Sequence, residues 1–383
     1  MDLTMDQASL ARGLRLTGRI APSRSPLPIL QGVLLDASET GLTLTATDGD
    51  LGVTTTLPAE VTTPGCLALP ARLLSEYVAQ LPAHPVRLTL DERRQRVHVT
   101  CGATSAHIGA WPADEFPTLP NPADDWAFDL DTKRLQEALS RVAFATAHDT
   151  SRPVLSAVLF DFGPHGLTLA AADGFRLARA VLPDASGTER SLLVPERAVA
   201  EFDRLLGEGP TARLALTGEA NGLTLTVGPT RLFTRLVDGR FPDIARVIPS
   251  AWQTRVVVET RALRQAVKVA SLFGAQGDAK PVVLMVEGDG VVLRSRGDET
   301  GEARSELAAT VEGDAQGVAL NTRLLTDLLE VLAAPQVELR WVSPQTPVVI
   351  QGVADKATDD LAVVMPLHDP KLLRQPRTAL QEA

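Results

Sequence analysis

A chain of 383 residues with 44% hydrophobic and 22% charged residues has room for two or three packed domains and is too apolar to be disordered along its length. Its 37 Lys and Arg against 47 Asp and Glu give a net charge of −10, which speaks against a uniformly basic nucleic-acid binder. The acidic start from Met1 to Asp6, the lack of any bilayer-length apolar run, and two cysteines, Cys66 and Cys101, without ligand spacing predict a cytoplasmic protein with small buried cysteines and no membrane, disulfide or zinc site.

An apolar 3.6-residue period predicts a first helix over 6–19. Residues 27–36, Leu-Pro-Ile-Leu-Gln-Gly-Val-Leu-Leu-Asp, and 41–48, Gly-Leu-Thr-Leu-Thr-Ala-Thr-Asp, then read as a strand hairpin. Asp48-Gly49 reads as a turn with the glycine at positive φ. Pro70 announces a helix over 72–81, and residues 86–90 and 97–100 alternate as strands. Asn121-Pro122-Ala123-Asp124-Asp125 has the composition of a linker. A helix over 132–146 follows, with Leu135, Ala138, Leu139 and Val142 on one face. Residues 152–161, Arg-Pro-Val-Leu-Ser-Ala-Val-Leu-Phe-Asp, and 166–173, Gly-Leu-Thr-Leu-Ala-Ala-Ala-Asp, copy the first hairpin in register, 125 residues later from Pro28 to Pro153 and from Asp48 to Asp173. Pro195 precedes a helix over 196–206, with strands at 213–216 and 223–227. After a second linker, Pro249-Ser250-Ala251, come a helix over 261–272, a weaker third hairpin copy at 280–287 and 290–295 with Gly297-Asp298 at its tip, and a helix over 322–332.

The expected class is therefore α+β, with three repeated domains of two helices each against antiparallel sheet, spanning 1–125, 126–252 and 253–383. The six helical segments carry 13 Lys or Arg against 8 Asp or Glu, so the rest of the chain holds 24 against 39. A net positive charge confined to helices fits backbone binding along a helix-lined surface, and it fits equally a set of solvated helix faces. Signatures of nucleotide loops, zinc proteases and serine hydrolases are absent. Asp48-Gly49-Asp50 opens like a calcium loop but has Val53 and Ala59 where Gly and Glu are required. The six histidines, His84, His98, His107, His148, His165 and His368, have no ligand spacing. No pair of carboxylates is nominated for catalysis, so no catalytic residue, metal or cofactor is expected. A β-rich hydrolase with undetected carboxylates and a multi-domain peptide-binding adaptor are alternatives from other classes.

Several ordered segments carry a resemblance to a known family: Ala172-Asp173-Gly174-Phe175-Arg176-Leu177, Gly239-Arg240-Phe241-Pro242-Asp243 and Val363-Val364-Met365-Pro366-Leu367, reinforced by Leu27-Pro28-Ile29-Leu30 and Phe116-Pro117. Over residues 1–367 the chain resembles the bacterial DNA polymerase III β subunit, the β sliding clamp. The resemblance implies a non-catalytic processivity factor, a head-to-tail homodimer whose six domains form a ring with helices lining a central hole for double-stranded DNA. It also implies a cleft that receives short peptides from the polymerase III α subunit, other polymerases, the clamp loader, mismatch-repair proteins and ligase. The matching cleft positions are Arg152, Leu155, Ala172, Gly174, Phe175, Arg176, Leu177, Pro242, Arg246, Val247, Asn321, Val363, Met365 and Pro366. Apolar members would hold anchor side chains, and Arg and Asn would orient a peptide backbone. Interface matches are Ile108 on one side and Leu272 and Phe273 on the other. Arg24 matches a DNA-contact position, and Arg72, Lys133, Arg134, Arg141, Arg197, Arg264 and Lys268 are nominated by helix charge. The chain departs from the family at Ala103 and Ser105, often basic, at Pro153 and Val154, often aromatic, and at Phe175, often His. An extension from about 368, with Lys371, Arg374 and Arg377, also runs past the usual family ending.

Overall fold

The computed structural model describes residues 1–368 apart from 150, 184, 186–187, 219–220, 274–279, 298–299 and 354–358. The extension after 368, with Lys371, Arg374 and Arg377, and Asp298 of the third repeat therefore lie outside the described residues. The chain begins with β1 (Asp2–Met5), α1 (Gln7–Thr17), β2 (Gly32–Ser38), β3 (Gly41–Thr47), β4 (Leu51–Leu57), β5 (Glu60–Thr63), β6 (Gly65–Pro70), α2 (Ala71–Ala79), β7 (Val86–Asp91), β8 (Arg96–Cys101), β9 (Thr104–Gly109) and β10 (Trp111–Pro112). It continues through β11 (Pro122–Asp131), α3 (Thr132–Ala143), β12 (Ala157–Gly163), β13 (Gly166–Ala172), β14 (Arg176–Leu182), β15 (Arg190–Pro195), α4 (Glu196–Leu206), β16 (Thr211–Thr217), β17 (Gly222–Val227) and β18 (Thr230–Arg235). The last third forms β19 (Thr254–Glu259), α5 (Thr260–Phe273), β20 (Pro281–Glu287), β21 (Gly290–Gly297), β22 (Gly301–Gly313), β23 (Val318–Asn321), α6 (Thr322–Val331), β24 (Gln336–Trp341), β25 (Val348–Val353) and β26 (Leu361–Val364). All six predicted helices form, with their ends moved by no more than a few residues.

The contacts divide the chain into two units, residues 1–135 with 197–236, and residues 136–196 with 237–383. The first holds a five-stranded sheet ordered β5-β1-β7-β8-β9 and a nine-stranded sheet ordered β10-β6-β2-β3-β4-β18-β17-β16-β11. The second holds a twelve-stranded sheet ordered β15-β12-β13-β14-β26-β25-β24-β19-β22-β21-β20-β23. Every pairing is antiparallel, as expected of strands joined by short hairpins. In the first unit Leu10, Leu14, Leu35, Leu44, Leu74 and Val99 are buried in one cluster, so α1 and α2 each bury one apolar stripe on sheet. Asp6 caps α1 by accepting from the Ser9 amide at 2.9 Å, and Gly13 lets that helix approach, since a Cβ there would stand 2.6 Å from Leu57 Cδ1.

The repeat is carried by backbone as well as by sequence. At Gly41 and Gly166 φ is +123° and +119°, and an added Cβ would lie 2.4 Å from the Leu57 carbonyl oxygen and 2.3 Å from that of Leu182. Gly290, at the corresponding place of the third copy, meets the Leu307 carbonyl oxygen in the same way, at 2.6 Å. The Asp-Gly tips also match. Asp48 Oδ1 accepts from the amides of Asp50 and Leu51, Asp173 Oδ1 accepts from those of Phe175 and Arg176, and Gly49 and Gly174 have φ of 104° and 93°.

Each unit contains one seam where strands of successive repeats pair. In the first, β4 meets β18 with Leu51 opposite Thr234 and Gly52 opposite Phe233. In the second, β14 meets β26 with Arg176 opposite Val364 and Leu177 opposite Val363. Equivalent hydrogen bonds close both: the Arg235 amide donates to the Asp50 carbonyl at 2.8 Å, and the Met365 amide donates to the Phe175 carbonyl at 2.8 Å. The expectation for the cysteines is half right. Cys101 is buried, but Cys66 is exposed, because strand alternation on β6 turns it outward opposite Asp36.

Candidate peptide cleft and DNA-facing cations

Part of the expected cleft set meets at the seam of the second unit: Leu177 and Val363 with Ala172, and Phe175 with Met365. Leu177, Val349 and Val363 are buried together, with Ala172, Ile244, Ile248 and Leu361 packed partly buried against them. Ala172 and Ile244 also join a neighbouring cluster of Ala157, Leu159, Ala170, Leu193 and Phe241, against which Val154 packs. Close to these residues in the chain, Phe175 is 68% exposed and Val247 38% exposed, an uncommon placement for large apolar side chains. Gly174 and Pro242 are exposed, Met365 is half-buried and Pro366 buried. Leu155 is buried and turns the chain, its amide donating to the Arg152 carbonyl and its own carbonyl accepting from Ala147, while Arg152 is exposed. Arg246 is exposed and pairs with Asp243 at 3.1 Å. Ile244, Ile248 and Val349 were missed in the sequence. Their signals are the four-residue spacing of the isoleucines and the position of Val349 opposite Val363.

Two expected peptide-orienting groups have other work. Arg176 is buried, its Nε 2.9 Å from Asp173 Oδ2, its Nη1 2.6 Å from Asp327 Oδ2 and its guanidinium carbon 5.2 Å from the Phe144 ring centroid. A guanidinium held by two carboxylates and an aromatic face is committed to locking the β14 hairpin onto α6. Asn321 is the N-cap of α6, its side-chain oxygen accepting from the Arg323 amide at 3.0 Å.

A 310 Å³ cavity lies near the same seam, lined by Phe144, Leu328, Val331, Ile350 and Ala362 among others, with Arg141, Arg179 and Asp360 also in its wall. It contains none of the expected cleft residues.

The nominated helix cations separate by what holds them. Arg72 pairs with Glu76 at 2.8 Å, Arg141 with Asp360 at 2.5 Å, and Arg197 with Asp48. Arg264 is half-buried, and its Nη2 donates to the carbonyls of Leu329 and Leu332 at the end of α6. Arg24, Lys133, Arg134 and Lys268 are exposed. A stronger cationic stripe went unnominated. Arg12, Arg15 and Arg19 are exposed, form no ion pair among the described residues, and follow a three- then four-residue spacing that puts them on one side of α1 and its C-terminal turn. Of the interface matches, Leu272 is 73% exposed at the end of α5 and Phe273 half-buried, while Ile108 is in the core on β9. Among the described residues no group of three or more His, Cys, Asp or Glu could hold a metal ion, and no helix is long and apolar enough to cross a membrane.

The chain matches the family models of the DNA polymerase III beta subunit for its N-terminal domain at residues 1–120, its central domain at 129–243 and its C-terminal domain at 245–368. A beta sliding clamp from Synechococcus elongatus is 31% identical over 357 residues, covering 91% of this chain and 95% of its own. The solved sliding clamp from Pseudomonas aeruginosa bound to griselimycin is 26% identical with a TM-score of 0.90, covering 96% of this chain and 99% of its own. The DNA polymerase III beta subunit of Thermotoga maritima is 28% identical with a TM-score of 0.87 over the same shares. Three consecutive domain matches together with this identity place the chain in the DNA polymerase III beta subunit family, the family of bacterial β sliding clamps.

Proposed function

We propose that two copies of this chain close head to tail into a ring around duplex DNA and confer processivity on the replicative polymerase, without catalysis of their own. The observation that supports closure most directly is a pair of strand edges left over from the repeat. Three repeats make two internal seams, β4 with β18 and β14 with β26. The counterparts still open are β9, at the end of its sheet, and residues 301–308 of β22, whose only strand neighbour among the described residues is β21. Joining β9 of one copy to β22 of another would repeat the seam and cover both edges, and doing so twice closes the assembly. Leu73 on α2 and Leu272 on α5, 52% and 73% exposed, supply apolar surface for the same contact.

In this reading the domains span 1–125, 126–252 and 253–383. The exposed Phe175 and Val247, with the Leu177–Val363 floor, receive apolar anchors of peptides from polymerases, the clamp loader, mismatch-repair proteins and ligase. Arg24, Lys133, Arg134 and Lys268, joined by the α1 arginines, face DNA phosphates weakly enough to slide, in a cytoplasmic, nucleoid-associated protein. The test is product length per binding event: with the cognate polymerase, loader and ATP on primed DNA, adding the protein lengthens products severalfold, and unchanged length would refute the assignment.

A further inference from the structure

His98 and His107 face each other across β8 and β9, their rings stacked with centroids 4.3 Å apart and planes 14° from parallel. The stack sits on the outward face of the strand whose other edge is open. The two internal seams give the register in which that edge would pair. The β8–β9 hairpin closes at Cys101 and Thr104 as β17–β18 closes at Val227 and Thr230, which makes His107 the counterpart of Phe233. Leu307, meeting Gly290, corresponds to Leu57, meeting Gly41, which makes Glu302 the counterpart of Gly52. Gly52 stands opposite Phe233, so Glu302 of a second copy would stand opposite His107. The faces agree with this register. His107, Ser105, Glu302 and Arg304 are all exposed, while Ile108 is buried and Ala106, Ala303 and Ser305 are half-buried.

Resting on the ring reading above, we propose that the stacked His98 and His107 receive the Glu302 carboxylate of a second copy, an imidazolium–carboxylate contact that makes the seam between copies titratable. The internal seams have Gly52 with Phe233 and Leu177 with Val363 at the corresponding place, pairs that do not titrate. Histidine changes charge between about pH 5 and pH 8. A facing carboxylate favours the charged form of an imidazole, so association takes up a proton and tightens as pH falls. Other charges on the same outward face are Arg96 on β8, Arg87 and Asp91 on β7 and Asp2 on β1, of which Arg87 and Asp2 pair at 2.6 Å. On the facing copy, Arg304 is held by Glu306 and by Glu287 at 3.1 Å, Arg294 is held by Glu287, and Arg296 lies opposite Glu302 on β21 without an ion pair to it among the described residues. Glu302 forms no ion pair among the described residues and is the carboxylate that this register sets opposite His107.

Sedimentation equilibrium of the full chain at about pH 6, 7 and 8 tests this. An exposed ion pair changes an equilibrium by about threefold, and two seams per ring multiply to about tenfold tightening from the highest to the lowest pH. Glu302→Gln should abolish the pH dependence, and His107→Lys, which fixes the charge, should hold the tight constant at every pH. A stable dimer with a flat profile, a slope that survives in Glu302→Gln, or a His107→Lys variant weakened throughout would overturn the contact and leave the ring standing. A monomer at every pH and concentration would overturn the ring itself.

Discussion

Arg176 Nη1 lies 2.6 Å from Asp327 Oδ2 although the two residues are 151 positions apart, and this bond ties the second hairpin tip to α6. Because the Arg176 side chain is only 6% exposed, removing one of its acids leaves a guanidinium charge short of a partner in a largely dry place. Asp327 is 34% exposed, which moderates the effect of removing it. Asp327→Ala should therefore destabilise the protein by about 1–2 kcal/mol, read as a lowered urea midpoint, and Arg176→Ala by more, since it leaves Asp173 without its partner and empties the space beside Phe144. An unchanged midpoint for both would mean the pair is ornamental.

Gly166 has φ of +119° with the Leu182 carbonyl oxygen where a methyl group would go. Gly166→Ala should lower stability by about 2 kcal/mol or more, through strain and a backbone clash together. Gly163, which stands opposite it at the end of the partner strand β12, has nothing within 4 Å of an added Cβ, so Gly163→Ala should stay within about 0.5 kcal/mol. Thermal unfolding of the two variants side by side distinguishes a conformational requirement from a general intolerance of the hairpin.

Phe175 and Leu177 are close in sequence and opposite in burial, at 68% and 4% exposed. Phe175→Ala should weaken binding of a polymerase-derived peptide by about tenfold with little change in melting temperature. Leu177→Ala should instead cost about 3 kcal/mol of stability, because it opens a cavity against Val349 and Val363. Calorimetric titration with intact peptide affinity in Phe175→Ala would move the cleft elsewhere.

Leu272→Asp places a carboxylate where the ring reading buries an apolar side chain. Light scattering should then report single chains at concentrations where the unaltered protein is dimeric. A dimer of unchanged mass would exclude α5 from the interface.

Asp2 accepts hydrogen bonds from Arg87 and Thr89, and the Arg87 bond above all holds its carboxyl below the ordinary value of 3.8. A carboxyl depressed in the folded state stabilises at pH above its ordinary value, and that stabilisation disappears as pH falls through the lower folded value. Asp2→Asn should accordingly flatten the loss of stability below about pH 4 while leaving its shape near neutrality unchanged, as followed by urea midpoints across an acid series.

The helices and the tandem hairpins were legible because each depends on local periodicity: Leu135, Ala138, Leu139 and Val142 announce α3, all four buried. The third copy was faint in sequence, yet Gly290 under the Leu307 carbonyl preserves the backbone reason for the motif after most side chains have changed. The cleft floor was partly legible, since strand residues such as Leu177 and Val363 carry the family pattern. What was not legible is the destination of charged side chains. Arg176 finds Asp327, Arg264 finds the α6 carbonyls of Leu329 and Leu332, and Arg197 finds Asp48, each partner more than 60 residues away. Helix charge alone therefore nominated cations that are already engaged and passed over the open α1 stripe of Arg12, Arg15 and Arg19.

Retention on DNA of defined topology tests encirclement most directly. The protein is loaded on a nicked circle with clamp loader and ATP, the complex is isolated, and the circle is then cut. A ring held by topology slides off the new ends, so the protein should be lost on linearisation while the uncut circle retains it. Retention after cutting would contradict encirclement and mean that the protein holds DNA by affinity alone.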